Sequence, residues 1–202
     1  MVQELLNTTV QLVAVLLVAL IVWLIWARNT QFRTFLGLTA PSAKSLLWVL
    51  AMSVVLVPAT IGVFLLGDLY AIVTAPNTVI GALRARGPSA ETFAMIALVA
   101  GVKTSLTEEL FFRGLLCKRL IAWLGFGVGN VIQAIVFGLA HMIVFVTAFN
   151  PAIVLALFAI TAGGGWMMGF LNERVGNGSI APGWLLHAIA NLVSYPVLAF
   201  LV

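Results

Sequence analysis

Six stretches of roughly 20 residues, almost free of charge, dominate this chain and limit what it can fold into. They fall at about Thr9–Ala27, Leu46–Leu66, Phe93–Cys117, Gly129–Ala148, Ala152–Leu171 and Pro182–Val202. A helix of that length crosses the hydrocarbon core of a bilayer, where a backbone must satisfy its polar groups internally. Composition excludes a soluble domain: 63% of the 202 residues are hydrophobic and 8% charged, against roughly 25% charged in soluble proteins. The expected fold class is all-α, a polytopic transmembrane helical bundle of about six spans, forming one integral-membrane domain over residues 1–202. Leu69–Leu83 would raise the count to seven or eight, but Pro76-Asn77 interrupts it, so a broken or re-entrant helix is expected there. Pro58 is expected to kink the second span.

Ten basic and six acidic residues give a formal charge of +4. In a membrane protein such an excess gathers in cytoplasmic loops, so the lipid bilayer is the expected partner and nucleic acid is not. Arg28, Arg33 and Lys44 follow the first span, Lys118 and Arg119 the third, and Arg174 the fifth. These loops share one side if the N-terminus is outside. The loop Phe149–Pro151 and the C-terminal end carry no charged side chain, as the outer side should. Arg84 and Arg86 dissent, within a long segment where the rule is weaker. A multi-pass protein of the cell membrane with both termini non-cytoplasmic is expected. The first apolar stretch lacks a basic flank and a small-x-small cleavage pattern, so it is expected to stay as an anchor. The single cysteine, Cys117, forbids an internal disulfide. Small-residue spacings at Gly125/Gly129 and Gly165/Gly169 are expected to let helix backbones approach closely.

Ionisable residues inside spans are costly and are the first functional suspects. Here they are Lys103, Glu108, Glu109, Arg113, His141 and His187, with the amide Asn191 beside them. Glu109 and Arg113 are four apart and share a helix face, so they can pair. Glu108 points about 100° away with no local partner. Two adjacent carboxylates in such different surroundings commonly divide acid and base roles, although snorkelling at the span's end would also account for them. Phe137 and His141 share a face of the fourth span, and His187 and Asn191 one of the sixth, where interhelical hydrogen bonding is the plainer role. At the rise of an α-helix, Glu108 lies about 15 Å from Lys118, Asn191 about 14 Å from Pro182 and His141 about 18 Å from Gly129. All three distances start from the predicted cytoplasmic ends, so the groups converge on one level. Lys103 lies off the face of Glu108 and is expected to be a structural ion-pair partner.

No Gly-x-Ser-x-Gly elbow, His-Glu-x-x-His helix or phosphate loop occurs. A carboxylate, two imidazoles and an amide suit hydrolysis by an activated water. Glu108 would be the general base, His141 would hold the water and protonate the leaving amine, and His187 and Asn191 would donate to the oxyanion. A catalytic zinc held by Glu108, His141 and His187 is the competing arrangement, since three such ligands with an open position bind it. The residues serve either scheme.

The three pairs resemble, in order and spacing, the signature motifs of a known family. Glu108-Glu109-x-x-x-Arg113, Phe137-x-x-x-His141 and His187-x-x-x-Asn191 are similar to those of the CPBP family, the CAAX proteases and bacteriocin-processing enzymes. These are also called Abi or type II CAAX prenyl endopeptidase-like proteins. The context Glu-Glu-Leu-Phe-Phe-Arg-Gly at the first motif and Gly-Ser-Ile-Ala-Pro-Gly-Trp-Leu-Leu-His before the third agree. The resemblance covers about residues 93–202, the motif-bearing core. It implies an intramembrane endopeptidase acting on a peptide or prenylated-protein substrate. Glu108 and His141 would activate water, His187 and Asn191 would hold the oxyanion, and Glu109, Arg113 and Phe137 would support them. Relatives have been called metalloproteases from their motifs, while the eukaryotic enzyme resembles a metal-independent glutamate protease, so no metal cofactor is expected.

Two other classes compete. A non-catalytic scaffold or bacteriocin-immunity type protein would bind a peptide partner without cutting it, yet has little need of both Glu108 and His141. A transporter or proton channel would use the carboxylates as a relay, but no inverted repeat is evident. With the N-terminus outside, the catalytic groups are expected nearer the cytoplasmic face, with a cytosolic or membrane-embedded peptide end as substrate.

Overall fold

The structure, a computed structural model of the chain, describes residues 1–143 and 150–202. In chain order the helices are α1 (Val2–Trp26), the short α2 (Phe32–Leu36), α3 (Lys44–Phe64), the short α4 (Leu69–Val73) and α5 (Val79–Arg86), then α6 (Ala90–Met142), α7 (Pro151–Val175) and α8 (Ala181–Leu201). No strand occurs among the described residues. Five helices, α1, α3, α6, α7 and α8, are long and apolar enough to cross a membrane. This is a multi-pass, all-helical membrane protein.

The 53-residue α6 is a hairpin, not a rod. At Gly125 the backbone takes φ 77° and ψ 165°, an essentially glycine-only conformation that costs a residue with a Cβ about 1–3 kcal/mol. Beyond it the chain returns along itself. The Phe112 and Phe137 rings meet at 5.0 Å, and the Cys117 thiol lies 3.9 Å from Asn130 Oδ1. A Cβ on Gly129 would stand 2.6–2.8 Å from the backbone of Leu120 and Ile121. The third and fourth predicted spans are therefore the two arms of one element. The last residues of the fourth span, and Phe149 of the loop that follows it, lie outside the described residues. Along the first arm, Ala97–Leu106 and Glu109–Cys117 widen into π-helical turns, a form rarely seen beyond one turn.

Pro58 sits inside α3, which runs on through it to Phe64. The Leu69–Leu83 segment is broken as expected. Its two short helices meet at residues 74–78, where the Thr78 hydroxyl caps α5 by accepting the Gly81 N–H at 3.0 Å. α7 packs closely on the second arm of α6 because its glycines leave room: a Cβ on Gly169 would collide with the Asn130 amide. Gln133 Nε2 donates to the Gly165 carbonyl at 2.9 Å and Asn130 Nδ2 to that of Trp166 at 3.1 Å. α1 turns an apolar face outward, with Val10, Leu17, Ile21 and Leu24 exposed, and joins the bundle through Lys103, which pairs with Glu4 at 2.8 Å. Lys103 thus has the structural role expected of it.

One end of the bundle is closed by a cap. α2 and the strand of loop behind it dock on the turn 175–180: Ile180 N–H donates to the Gly37 carbonyl at 2.9 Å, Ser179 Oγ to Thr39 O at 2.6 Å, and Ser42 Oγ to Val175 O at 2.6 Å. Phe35, Leu36, Leu115 and Ile180 are buried beneath. Lys118 Nζ ties the cap to the hairpin through Glu173 at 2.7 Å and the Gly178 carbonyl at 2.6 Å.

Candidate active site

Three helical segments, the two arms of α6 and α8, bring the predicted site residues together. The first arm of α6 supplies Glu108, Glu109 and Arg113, its second arm supplies Phe137 and His141, and α8 supplies His187 and Asn191. Glu108 Oε2 stands 3.7 Å from His141 Nε2 and 3.9 Å from His187 Nε2. These separations exceed a direct hydrogen bond. Glu108 Oε2 is buried and accepts no hydrogen bond from the protein.

Each imidazole is oriented from behind. His141 Nδ1 lies 2.8 Å from the Phe137 carbonyl, which can only accept, so the proton is assigned to Nδ1. His187 Nδ1 lies 3.2 Å from Glu109 Oε1, and the same oxygen accepts from Arg113 at 2.7 Å. With Glu109 0% and Arg113 1% exposed, this is a buried ion pair, and removing either partner would leave an uncompensated charge at a cost of about 3–5 kcal/mol. The Arg113 guanidinium also stacks 4.2 Å over the Phe137 ring. A neutral His187 with its proton on Nδ1 presents a lone pair at Nε2. The donor role expected of it from sequence is open to it only as the imidazolium.

Both imidazole Nε2 atoms therefore lie within 4 Å of the same Glu108 oxygen. A water between them can donate to two of the three atoms and keep its own lone pair free. A zinc ion would draw on the same atoms, with the Phe137 carbonyl and Glu109 as the outer partners of its histidines. Among the described residues, however, no group of three or more His, Cys, Asp or Glu side chains is arranged to hold a metal ion.

His141, His187 and Asn191 form the floor of a cavity of about 620 Å³. Asn191 Nδ2 donates to Ser105 Oγ at 3.1 Å, and the second N–H of its amide is left for another acceptor. From this floor the cavity extends between α3 and α7, past Thr60 and Thr161, to a wall made by residues 71–80 around the break between α4 and α5. The sequence motifs left out several members of this site. Ser105 anchors Asn191. Asn172, 1% exposed, accepts the Gly183 N–H at 2.7 Å. A Cβ on Gly183 would stand 2.7 Å from Asn172 Nδ2 and 2.9 Å from Glu109 Oε2. The signal available for these two was the stretch from Asn172 to Gly183, dense in small and polar residues where two apolar helices join.

Over residues 90–193 the chain matches the family model described as type II CAAX prenyl endopeptidase Rce1-like. No curated protein and no solved structure is significantly similar to it. The matched region is just over half of the chain and contains Glu108, Glu109, Arg113, Phe137, His141, His187 and Asn191. This chain belongs to the Rce1-like type II CAAX prenyl endopeptidase family, a family of proteases.

Proposed function

We propose that the chain is an intramembrane endopeptidase in which Glu108 activates a water molecule for attack on a peptide bond. The observation that carries this reading is the approach of one carboxylate oxygen to two imidazole Nε2 atoms, from three helical segments, beside a cavity that both histidines line. Water held between them donates one proton towards Glu108 and the other towards an imidazole, leaving its lone pair for the scissile carbonyl. As the oxygen adds to the carbonyl carbon, Glu108 takes the proton as general base. Asn191 donates its spare N–H to the oxyanion. The C–N bond then breaks, and the proton passes to the departing amine from Glu108 through His141. Glu109, Arg113 and Phe137 hold the two imidazoles in place. The scheme is metal-independent. Its substrate is a peptide or prenylated protein whose apolar portion occupies the cavity. The end bearing Arg28, Lys118 and Arg174 is cytoplasmic, which leaves both termini on the opposite face.

Purified wild type and Glu108→Gln in detergent, offered a fluorogenic prenylated peptide and its unprenylated counterpart, test this. Loss of the general base is expected to slow cleavage about 10²- to 10⁴-fold, and a zinc chelator is expected to leave wild type unchanged. Undiminished cleavage by Glu108→Gln would refute the assignment. Chelator-sensitive cleavage would replace the glutamate scheme by a metal-dependent one.

A further inference from the structure

We infer that the basic end of the bundle holds a binding site for the phosphate group of an anionic phospholipid, built around Arg119 where α1, α2 and the turn of the α6 hairpin meet. The site shares no lining residue with the cavity beside His141 and His187, and it does not depend on the endopeptidase reading.

Trp26 ends α1 and Thr30 follows it, Thr34 and Phe35 belong to α2, and Arg119 and Trp123 precede the turn at Gly125. Together they line a pocket of about 470 Å³, within the roughly 300–1,000 Å³ of small-molecule sites. Among its described lining residues Arg119 alone is charged. The guanidinium lies 3.8 Å over the Phe35 ring and donates through Nη2 to the Phe35 carbonyl at 3.1 Å, which fixes its plane. Nη1 is buried and meets no acceptor in the protein. The carboxylates near the cap are engaged elsewhere: Lys118 holds Glu173 at 2.7 Å and Arg113 holds Glu109 at 2.7 Å. Among the described residues no carboxylate comes within 4 Å of Arg28, Arg33 or Arg119. A shielded donor without an acceptor is costly. An oxyanion on the fork of the guanidinium supplies that acceptor, in the geometry arginine offers to phosphate.

Position makes this anion a lipid headgroup and not a solute. Trp26 is 70% and Trp123 72% exposed, and indoles at the ends of spanning segments sit at headgroup level. Beside Trp26 the outer surface of α1 is apolar, with Leu24 and Ile25 exposed, so an acyl chain has a surface to follow. Arg28 and Arg33 adjoin the pocket residues Ala27 and Thr34 in the chain, and Lys118 adjoins Arg119. Such a group of cations at one membrane surface attracts anionic lipid. A choline headgroup would bring a further cation into the same field. Ile143 and Asn150, the neighbours of the residues not described, stand at the other end of the spans, about 20 Å from Gly129 along the second arm of α6. A phosphate seated on Arg119 would join α1, α2 and α6 at the edge of the cap.

Native mass spectrometry of the purified chain in a neutral detergent, titrated with phosphatidylglycerol and with phosphatidylcholine of the same acyl chains, tests the site. One phosphatidylglycerol is expected to bind about tenfold more tightly than phosphatidylcholine, as charge-assisted hydrogen bonds allow. Arg119→Gln is expected to lose that preference. Thr34→Asp puts a carboxylate into the pocket at an exposed position in the first turn of α2, where an acidic residue suits a helix. It is expected to fold and to lose the preference as well. Lys44→Gln, at an exposed cation outside the pocket, is expected to bind as wild type does. Equal affinity for the two lipids, or wild-type binding by Thr34→Asp, would overturn the inference. An equal loss in Lys44→Gln would do the same, since it marks diffuse attraction to a basic surface. Millimolar inorganic phosphate is expected to leave the lipid bound, and displacement by it would refute a lipid site in favour of a soluble anion. Hydrogen exchange gives the location: phosphatidylglycerol is expected to slow it in residues 30–36 and 119–124 of wild type. Slowing confined to other segments would place the lipid elsewhere and sink the proposal.

Discussion

Glu109 is buried among groups that leave it little freedom. Oε1 faces both Arg113 and His187, and Oε2 lies against the α-carbon of Gly183. Gly183→Ala would place a methyl group 2.9 Å from Oε2 and 2.7 Å from the Asn172 amide, so the carboxylate and its histidine must shift. Since misplacing a catalytic group by about 1 Å can cost 10²-fold, this variant is expected to lose most of its cleavage activity. Gly163→Ala, in α7, meets nothing within 4 Å and is the control. Equal activity of the two would show that Glu109 does not position His187. At this scale the sequence was legible wherever partners lie four residues apart, because helix geometry alone pairs Glu109 with Arg113 and aligns His187 with Asn191. It was silent on Asn172, Gly183 and Ser105, whose partners come from other turns of the fold. Nor could it pair His187 with Glu109, a carboxylate 78 residues away whose Oε1 lies 3.2 Å from Nδ1.

Among the elements, α6 separates what periodicity can and cannot reveal. Hydropathy finds two apolar segments there, and the Gly125/Gly129 spacing promises a close approach. That the approach is made by the two arms of one hairpin follows only from the left-handed backbone at Gly125. Gly129→Leu is expected to force the arms apart and lower the melting temperature in detergent by several degrees. Gly127→Leu, where a Cβ has nothing within 4 Å, is expected to change it little. Overpacking a close-packed contact costs about 1–3 kcal/mol, and a similar melting temperature for both variants would mean the arms are not tightly apposed. The π-helical turns around Glu108 were likewise hidden, because an apolar stretch has the same composition at either helical spacing. Depths reckoned at the α-helical rise overstate the distance along that arm, where each turn holds more residues.

For the whole molecule, the cap over one end of the bundle is the feature that composition could not supply. The cations of Arg28, Lys118 and Arg174 gather at one end of the spans, but the cap that covers that end depends on how segments 133 and 140 residues apart pack together. Lys118 is the post of that cap. Lys118→Ala removes its bonds to Glu173 and Gly178 and is expected to speed amide hydrogen exchange in residues 37–42 and 175–180, leaving exchange around Asn191 unchanged. Uniform exchange across both regions would show that the cap is not a unit. Solvent-exposed ion pairs are worth little, but this one is largely sheltered and shares its ammonium with a carbonyl, so its loss should register locally.

The two histidines that meet at Glu108 are also the only two in the chain. A protein purified without a polyhistidine tag and grown with nitrogen-15 histidine would give an imidazole spectrum containing the site and nothing else. Its two ring systems would report tautomer, protonation and ligand occupancy directly, with no assignment by mutation against a crowded background. Few membrane enzymes come with their own spectroscopic label already in place.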